Sequence, residues 1–382
     1  MGETVSRKLE HVKLVASSKV ESSESTLLEY VRLIHNPLPE TDIDKVDLTT
    51  RFCGLKKTLK APLVITGITG GHRDVAWINE GLALVAEEFG IAMGVGSQRA
   101  AIEDPSVIES FSVARRAAPN IVLIANLGAP QLVRGYGLRE ALKAIEMIDA
   151  DAIAVHLNPG QEAFQDEGEP QYSGVIARIV DLASRLDKPL IVKEVGTGLS
   201  REAIAQLYSA GIRCFDVAGL GGTNWIKAEV LRSKARNGAP LKPAGSLEDY
   251  WGNPTALAIV EARLAAPKAY IIGSGGIRNG LDAAKAIALG ADVAGLALPA
   301  LRALVNSGVE SLRRLVASII YQVRASVFLS GETRPAGLWR APLVVWGRLR
   351  EELEFRGVDV ESYIKEFRLK ALLWRMGDEG EY

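Results

Sequence analysis

The sequence predicts an α/β protein folded as a closed (β/α)8 barrel, and three observations carry that expectation. Eight short apolar runs recur along the 382 residues, each leading into a longer stretch with helical periodicity. The runs are rich in Val, Ile and Ala without clean alternation, which is the pattern of parallel strands covered on both faces. Their spacing suits repeated strand–helix units, and eight such units close most naturally as a barrel. An open doubly wound sheet is the alternative topology.

The runs fall at 62–66, 91–95, 121–125, 152–156, 190–194, 214–218, 269–273 and 293–297, with helical periodicity at 75–89, 138–148, 175–186, 201–209 and 281–289. Glycine follows several helices, as in Phe89-Gly90, Ala210-Gly211 and Leu289-Gly290, where a left-handed cap ends the helix. One interval is longer: the insert at 224–256, with Trp225, Tyr250 and Trp251, reads as a loop or lid over the barrel mouth. Residues 1–60 form a polar, Pro-punctuated N-terminal extension that closes the site, with a hairpin near 52–59. Residues 61–300 hold the barrel and 301–382 a C-terminal helical segment, all within a single domain.

Composition limits the function classes. Apolar residues make up 48% and charged residues 24%, enough for a large core in a water-soluble chain. With 45 basic against 46 acidic residues, no global field draws the protein to nucleic acid or to a membrane surface. No run approaches the roughly 18 apolar residues that span a bilayer, and the start MGETVSRKLEHVKL lacks a signal-peptide core. Met1-Gly2 with Ser6 meets a short N-myristoylation pattern, read here as coincidence. Cys53 and Cys214 lie far apart without metal-ligand spacing, so both are expected to be packing thiols of a cytoplasmic protein.

The strand ends are where this fold does chemistry, and here they are polar. They read Thr66-Gly67-Ile68-Thr69-Gly70-Gly71, Gly96-Ser97-Gln98-Arg99, Asn126-Leu127-Gly128, His156-Leu157-Asn158 with Gln161-Glu162, Lys193-Glu194, Asp216 with Gly221-Gly222-Thr223-Asn224, and Ser274-Gly275-Gly276-Ile277-Arg278. Any one is ordinary, but a packed structural barrel gains nothing from so many polar groups at one mouth. The convergence points to a ligand. Gly275-Gly276-Ile277-Arg278 precedes a helix and presents N–H groups to an anion, and Thr223 can add a hydroxyl, so the ligand carries phosphate. Glu194 points away from Lys193 by strand alternation, which makes it a poor partner for an inward lysine. Of the four histidines, His35 and His72 read as surface or structural, while His11 and His156 sit beside the motifs.

These segments, in this order, resemble the type 2 isopentenyl-diphosphate isomerases, from Arg7-Lys8-x-x-His11 through Lys193-Glu194-Val195-Gly196 to Ser274-Gly275-Gly276-Ile277-Arg278. The run Ala163-Phe164-Gln165-Asp166-Glu167-Gly168-Glu169 departs from the family's usual Gln-Pro-Glu-Gly-Asp. The resemblance implies a (β/α)8 (TIM) barrel using reduced FMN, Mg²⁺ and NADPH as priming reductant to interconvert isopentenyl and dimethylallyl diphosphate. It implies FMN against Thr66, Gly67, Ile68, Thr69, Ser97, Asn126, Lys193, Thr223, Gly275, Gly276, Ile277, Leu296 and Ala297. Lys193 would steady negative charge on the reduced flavin. Arg7, Lys8, Ser97, Gln98 and Arg99 would hold the diphosphate. Glu162 would bind Mg²⁺, Gln161 and His156 would lie near the double bond, and Glu229 would relay a proton. A homo-oligomer, tetramer or octamer, is expected.

Three other readings remain. One is an FMN-dependent oxidoreductase of a small acid on the same barrel; such oxidases resemble one another in a late base histidine beside an arginine, and no histidine follows His156. The second is an aldolase-type barrel with Lys193 as Schiff-base nucleophile. The third is a non-catalytic phosphate binder.

Overall fold

The computed structural model describes residues 3–378, and the side chains of 3–7 and 376–378 lie outside the described set. Eight parallel strands close a barrel: β1 Leu63–Ile65, β2 Ala92–Gly94, β3 Leu123–Gly128, β4 Ala152–His156, β5 Leu190–Lys193, β6 Cys214–Asp216, β7 Tyr270–Ser274 and β8 Val293–Leu296. Each pairs with its sequence neighbours, and β8 returns to β1 through Ala294–Leu63, Gly295–Val64 and Leu296–Ile65. The open-sheet alternative is thereby set aside.

Strand alternation sorts the core into two regions. Val64, Ala92, Ile124, Ala154, Ile191, Ile272 and Val293 fill the barrel interior together with Phe52 and Leu59. Leu63, Ile65, Met93, Leu123, Ala125, Ile153 and Val155 face outward into the layer beneath the helices. Phe52 and Leu59 belong to the segment around the small antiparallel pair Thr50–Arg51 and Thr58–Leu59, the expected hairpin, which closes the N-terminal end of the barrel.

Cys53 and Cys214 form a disulfide with Cα atoms 6.1 Å apart, which corrects the expectation of two packing thiols. Sequence distance concealed the pair: the hairpin lies under the barrel, and Cys214 opens β6 on its inner face. A second correction concerns the insert. Instead of a bare loop it carries the helix Trp225–Asn237 and the short helix Leu247–Tyr250, and the helix Thr255–Ala265 begins at its end. Asn224 Oδ1 accepts from the N–H groups of Ile226 and Lys227 at the start of the first, and Gly238 ends it at φ 78°.

The N-terminal extension is more ordered than its polarity suggests, beginning with the helix Glu3–Ser17. At the other end, the long segment Leu298–Leu329 breaks at Gly308 (φ 79°), and Leu343–Val345 pairs antiparallel with Val31–Leu33. Among the described residues no helix is long and apolar enough to cross a membrane.

Candidate active site

The parity that places Val64, Ile124, Ala154, Ile191, Cys214 and Ile272 inside the barrel carries on, two residues later, to its C-terminal rim. It turns Thr66, Asn126, His156, Lys193, Asp216 and Ser274 into the mouth. Five of these residues, all but Thr66, take part in two polar chains. On one side Gln98 Oε1 accepts from the Asn126 N–H at 2.8 Å, and Asn126 Oδ1 meets His156 Nδ1 at 2.7 Å. On the other, Lys193 Nζ donates to Asp216 Oδ2 at 3.2 Å, and Ser274 Oγ donates to Asp216 Oδ1 at 2.5 Å. Lys193 is therefore a paired cation. The sequence expectation that Glu194 is not its partner agrees with the geometry: Glu194 accepts four successive N–H groups, from Val195 to Gly198.

Above this rim lies a cavity of about 490 Å³. All the residues expected against the flavin line it, from Thr66, Gly67, Ile68 and Thr69 through Ser97, Asn126, Lys193 and Thr223 to the Gly275–Ile277 turn, Leu296 and Ala297. Gly275 and Gly276 both adopt positive φ (103° and 68°), and a side chain at either would strike the backbone of the neighbouring β6 loop. The roof comes from the N-terminal helix, which contributes Lys8, His11, Val12 and Val15. Arg7 lies on the same helix, but its side chain is outside the described residues.

Two expected diphosphate contacts are placed differently. Gln98 is fully buried and turned away: its amide donates to the carbonyl of Ala144 at 2.8 Å, so it supports Asn126 and does not reach the cavity. Arg99 does line the cavity, but its guanidinium is engaged with Glu103 and Glu169. Burial works against ionising Glu169, yet the hydrogen bonds from Arg99 and Arg134 outweigh it and hold its pKa below the ordinary value.

Gln161 and Glu162 come from the helix Pro159–Phe164 and both line the cavity. Gln161 Nε2 donates to Glu229 Oε1 at 2.8 Å, and Asn158 Nδ2 donates to Gln161 Oε1 at 3.2 Å, so both ends of the amide are fixed. Glu229 sits one layer behind, almost fully buried on the helix Trp225–Asn237, with His11 Nε2 at 2.9 Å and Arg232 Nε at 2.8 Å. Burial opposes its ionisation, but the charges of His11 and Arg232 prevail and hold the carboxyl well below its usual range. Glu162 accepts from Asn158 Nδ2 at 2.8 Å and from the Glu169 N–H at 2.7 Å.

His156 behaves oppositely. Asn126 commits its Nδ2 to the carbonyl of Val95, so its Oδ1 can only accept; the imidazole proton therefore resides on Nδ1 and Nε2 is an acceptor. Burial, and then the charges of Lys8 and Lys193, lower its pKa from 6.5 to about 3. Because the folded value lies below the unfolded one, the neutral ring's contribution to stability is complete above 6.5 and is lost as pH falls towards 3. The expected result is an NMR C2–H resonance of His156 that stays flat from about pH 8 to about pH 5; a midpoint near 6.5 would contradict the assignment.

A curated isopentenyl-diphosphate delta-isomerase from Aeropyrum pernix is 63% identical over 98% of this chain and 99% of its own. Another from Metallosphaera sedula is 48% identical over 94% of this chain and 97% of its own. The chain belongs to the isopentenyl-diphosphate delta-isomerase family. Residues 159–344 of this isomerase-family chain also match the FMN-dependent dehydrogenase family. Among solved structures it resembles a flavocytochrome b2 variant with sulfite bound (TM-score 0.64, 18% identity, 92% of this chain and 85% of that one) and a mandelate oxidase variant with an FMN adduct (TM-score 0.60, 17% identity, 87% and 95%). At such identities these two speak for the fold alone.

Sequence reasoning overlooked several residues that shape the isomerase-family site. Asp216 was seen at a strand end without its role as Lys193's partner, although parity alone puts it on the same inner face. Arg302 and Glu21 line the cavity as an ion pair at 2.8 Å, drawn from the helix after β8 and from the N-terminal extension. Nothing local in the sequence joins those two positions. Tyr172, whose hydroxyl bonds both Asn158 N and Asn158 Oδ1, was likewise invisible before the 158–172 segment folded back on itself.

Proposed function

We propose that this chain interconverts isopentenyl and dimethylallyl diphosphate, with FMN in its reduced form and Mg²⁺ at the barrel mouth and NADPH as a priming reductant. The observation that carries the reading is Gln161: its amide faces the cavity, held on one side by Asn158 and on the other by the buried, ionised Glu229. Double-bond migration adds a proton at one carbon and removes another nearby, with no net redox change, so it calls for fixed proton-handling groups around an apolar chain.

The residues present suit FMN. The Gly275–Gly276 turn offers backbone N–H groups where a phosphate would sit, and the buried hydroxyl Oγ1 of Thr69, beside the cavity, has no hydrogen-bond partner among the described residues. When bound, reduced FMN supplies an electron-rich acid/base partner for a carbocation-like state. Lys193, paired with Asp216, would stabilise negative charge next to the ring. His156, neutral and tethered through Nδ1, would keep an acceptor at the mouth without adding a competing cation. Gln161 would orient the isoprenyl end, and Glu229 would hold Gln161 and His11 in register while accepting a relayed proton. Lys8, Arg7 and Arg99 would bind the diphosphate, with Ser97 as a hydroxyl donor.

The donor set also suits Mg²⁺. This cation takes one or two protein carboxylates and completes its shell with water and phosphate oxygens. Among the described residues no group of three or more His, Cys, Asp or Glu is placed to hold a metal ion by itself, and Glu162 lines the cavity beside the expected diphosphate. A homo-oligomer and a cytoplasmic location complete the proposal.

The test is anaerobic turnover of isopentenyl diphosphate by protein supplied with FMN, Mg²⁺ and a reductant. Formation of dimethylallyl diphosphate that needs the flavin supports the proposal. Oxidation of a small 2-hydroxy acid with no isomerisation would replace it with the oxidoreductase reading.

A further inference from the structure

Between the helices Pro159–Phe164 and Val175–Arg185 the chain turns back through residues 165–174, and one residue there faces both halves of the expected anion site. The N–H of Glu169 donates to Glu162 Oε2 at 2.7 Å. Its carboxylate accepts from Arg99 Nη1 at 2.9 Å and Nη2 at 3.3 Å, and Arg134 contacts the same group. Gly168 permits this closure, because any Cβ at that position would run into the Glu162 carbonyl oxygen. Glu162 and Arg99 line the cavity, whereas Glu169 lies behind them.

A guanidinium binds a phosphate best through two parallel N–H groups. In Arg99 the pair on Nη1 and Nη2 already holds a carboxylate, a group of the same charge sign and similar bite. Glu103 takes Nε at 2.7 Å, so two acidic residues neutralise the cation before any ligand arrives. The tether that keeps Glu169 in this seat is the Glu162 carboxylate, the same group expected to turn to a divalent cation.

We propose that Glu169 is a specificity-determining residue that makes capture of a diphosphate depend on its cation. While Glu162 holds the Glu169 amide, the Glu169 carboxylate occupies the Arg99 fork and opposes a free anion. A cation drawn to Glu162 competes for Oε2, loosens the 165–174 turn and frees the fork for the diphosphate. The mouth thereby discriminates the metal-complexed diphosphate from the bare one. This inference rests on reading the mouth as a Mg²⁺–diphosphate site.

The experiment is calorimetric titration of FMN-loaded protein with inorganic diphosphate, with Mg²⁺ and after its chelation. The parent protein is expected to bind diphosphate far better with Mg²⁺. Glu169→Gln should raise the Mg²⁺-free affinity about tenfold and leave the Mg²⁺-bound affinity nearly unchanged, so the dependence on the cation shrinks by that factor. Glu103→Gln, which also touches Arg99 but not Glu162, should move both affinities alike and preserve their ratio. Should Glu169→Gln fail to fold, Glu169→Asp keeps the charge, shortens the reach and should show a smaller shrinkage of the same sign. An unaltered ratio in a folded Glu169 variant, or weaker binding under both conditions, overturns the proposal. A parent protein that binds no diphosphate even with Mg²⁺ overturns the reading of the mouth itself, which is a different outcome.

Discussion

Lys193→Ala is expected to cost about 3–5 kcal/mol of stability and to strip the protein of flavin. Asp216 is only 2% exposed and, among the described residues, would keep the Ser274 hydroxyl but no cation beside it, an uncompensated charge at the barrel mouth. Thermal melts read the first effect, and absorbance at about 450 nm in purified protein reads the second. The two can be separated. Lys193→Met combined with Asp216→Asn removes both charges together and should recover most of the stability, since a neutral pair carries little desolvation cost, while the flavin remains weakly held. Full flavin content in that double variant would remove Lys193 from the cofactor site and leave it a structural cation.

Glu229→Gln should act on turnover. Loss of a positioned proton-handling group typically lowers kcat by about 10²- to 10⁴-fold, and Glu229 is the acceptor that fixes the Gln161 amide at 2.8 Å. KM should change far less, because the residue stands behind the cavity wall. The depressed pKa gives a second signature: Glu229 stays ionised at neutral pH and loses its proton-accepting form only as pH falls below the ordinary carboxylate range, so it contributes no inflection to a neutral pH–rate profile. A kcat within twofold of the parent would exclude it from the relay.

The barrel was legible because its signal is repeated: eight apolar runs separated by helical periodicity leave few alternatives, and β4 matches its expected bounds of 152–156. The rim was legible for a related reason, since Thr66, Asn126, His156 and Lys193 each follow an inward residue by two positions. What failed to show was contact between distant segments. Gln98 belongs to the same short motif as Ser97 and Arg99, yet its side chain is buried on Ala144 and Asn126, because adjacent residues in a turn point different ways. The Cys53–Cys214 bond joins positions 161 residues apart, and no local pattern marks it. The helix Trp225–Asn237 was hidden by its many charged residues, although its Asn224 cap and Gly238 stop were there to be read.

The two ends of the barrel are built differently, and this has a mechanical consequence. Below, a covalent staple fastens the hairpin to the base of β6. Above, the ceiling is the helix Glu3–Ser17, which no disulfide fastens to the barrel. Thermal breathing should therefore start at the ceiling, with amide hydrogen exchange fastest along 3–17 and slowest at the stapled base.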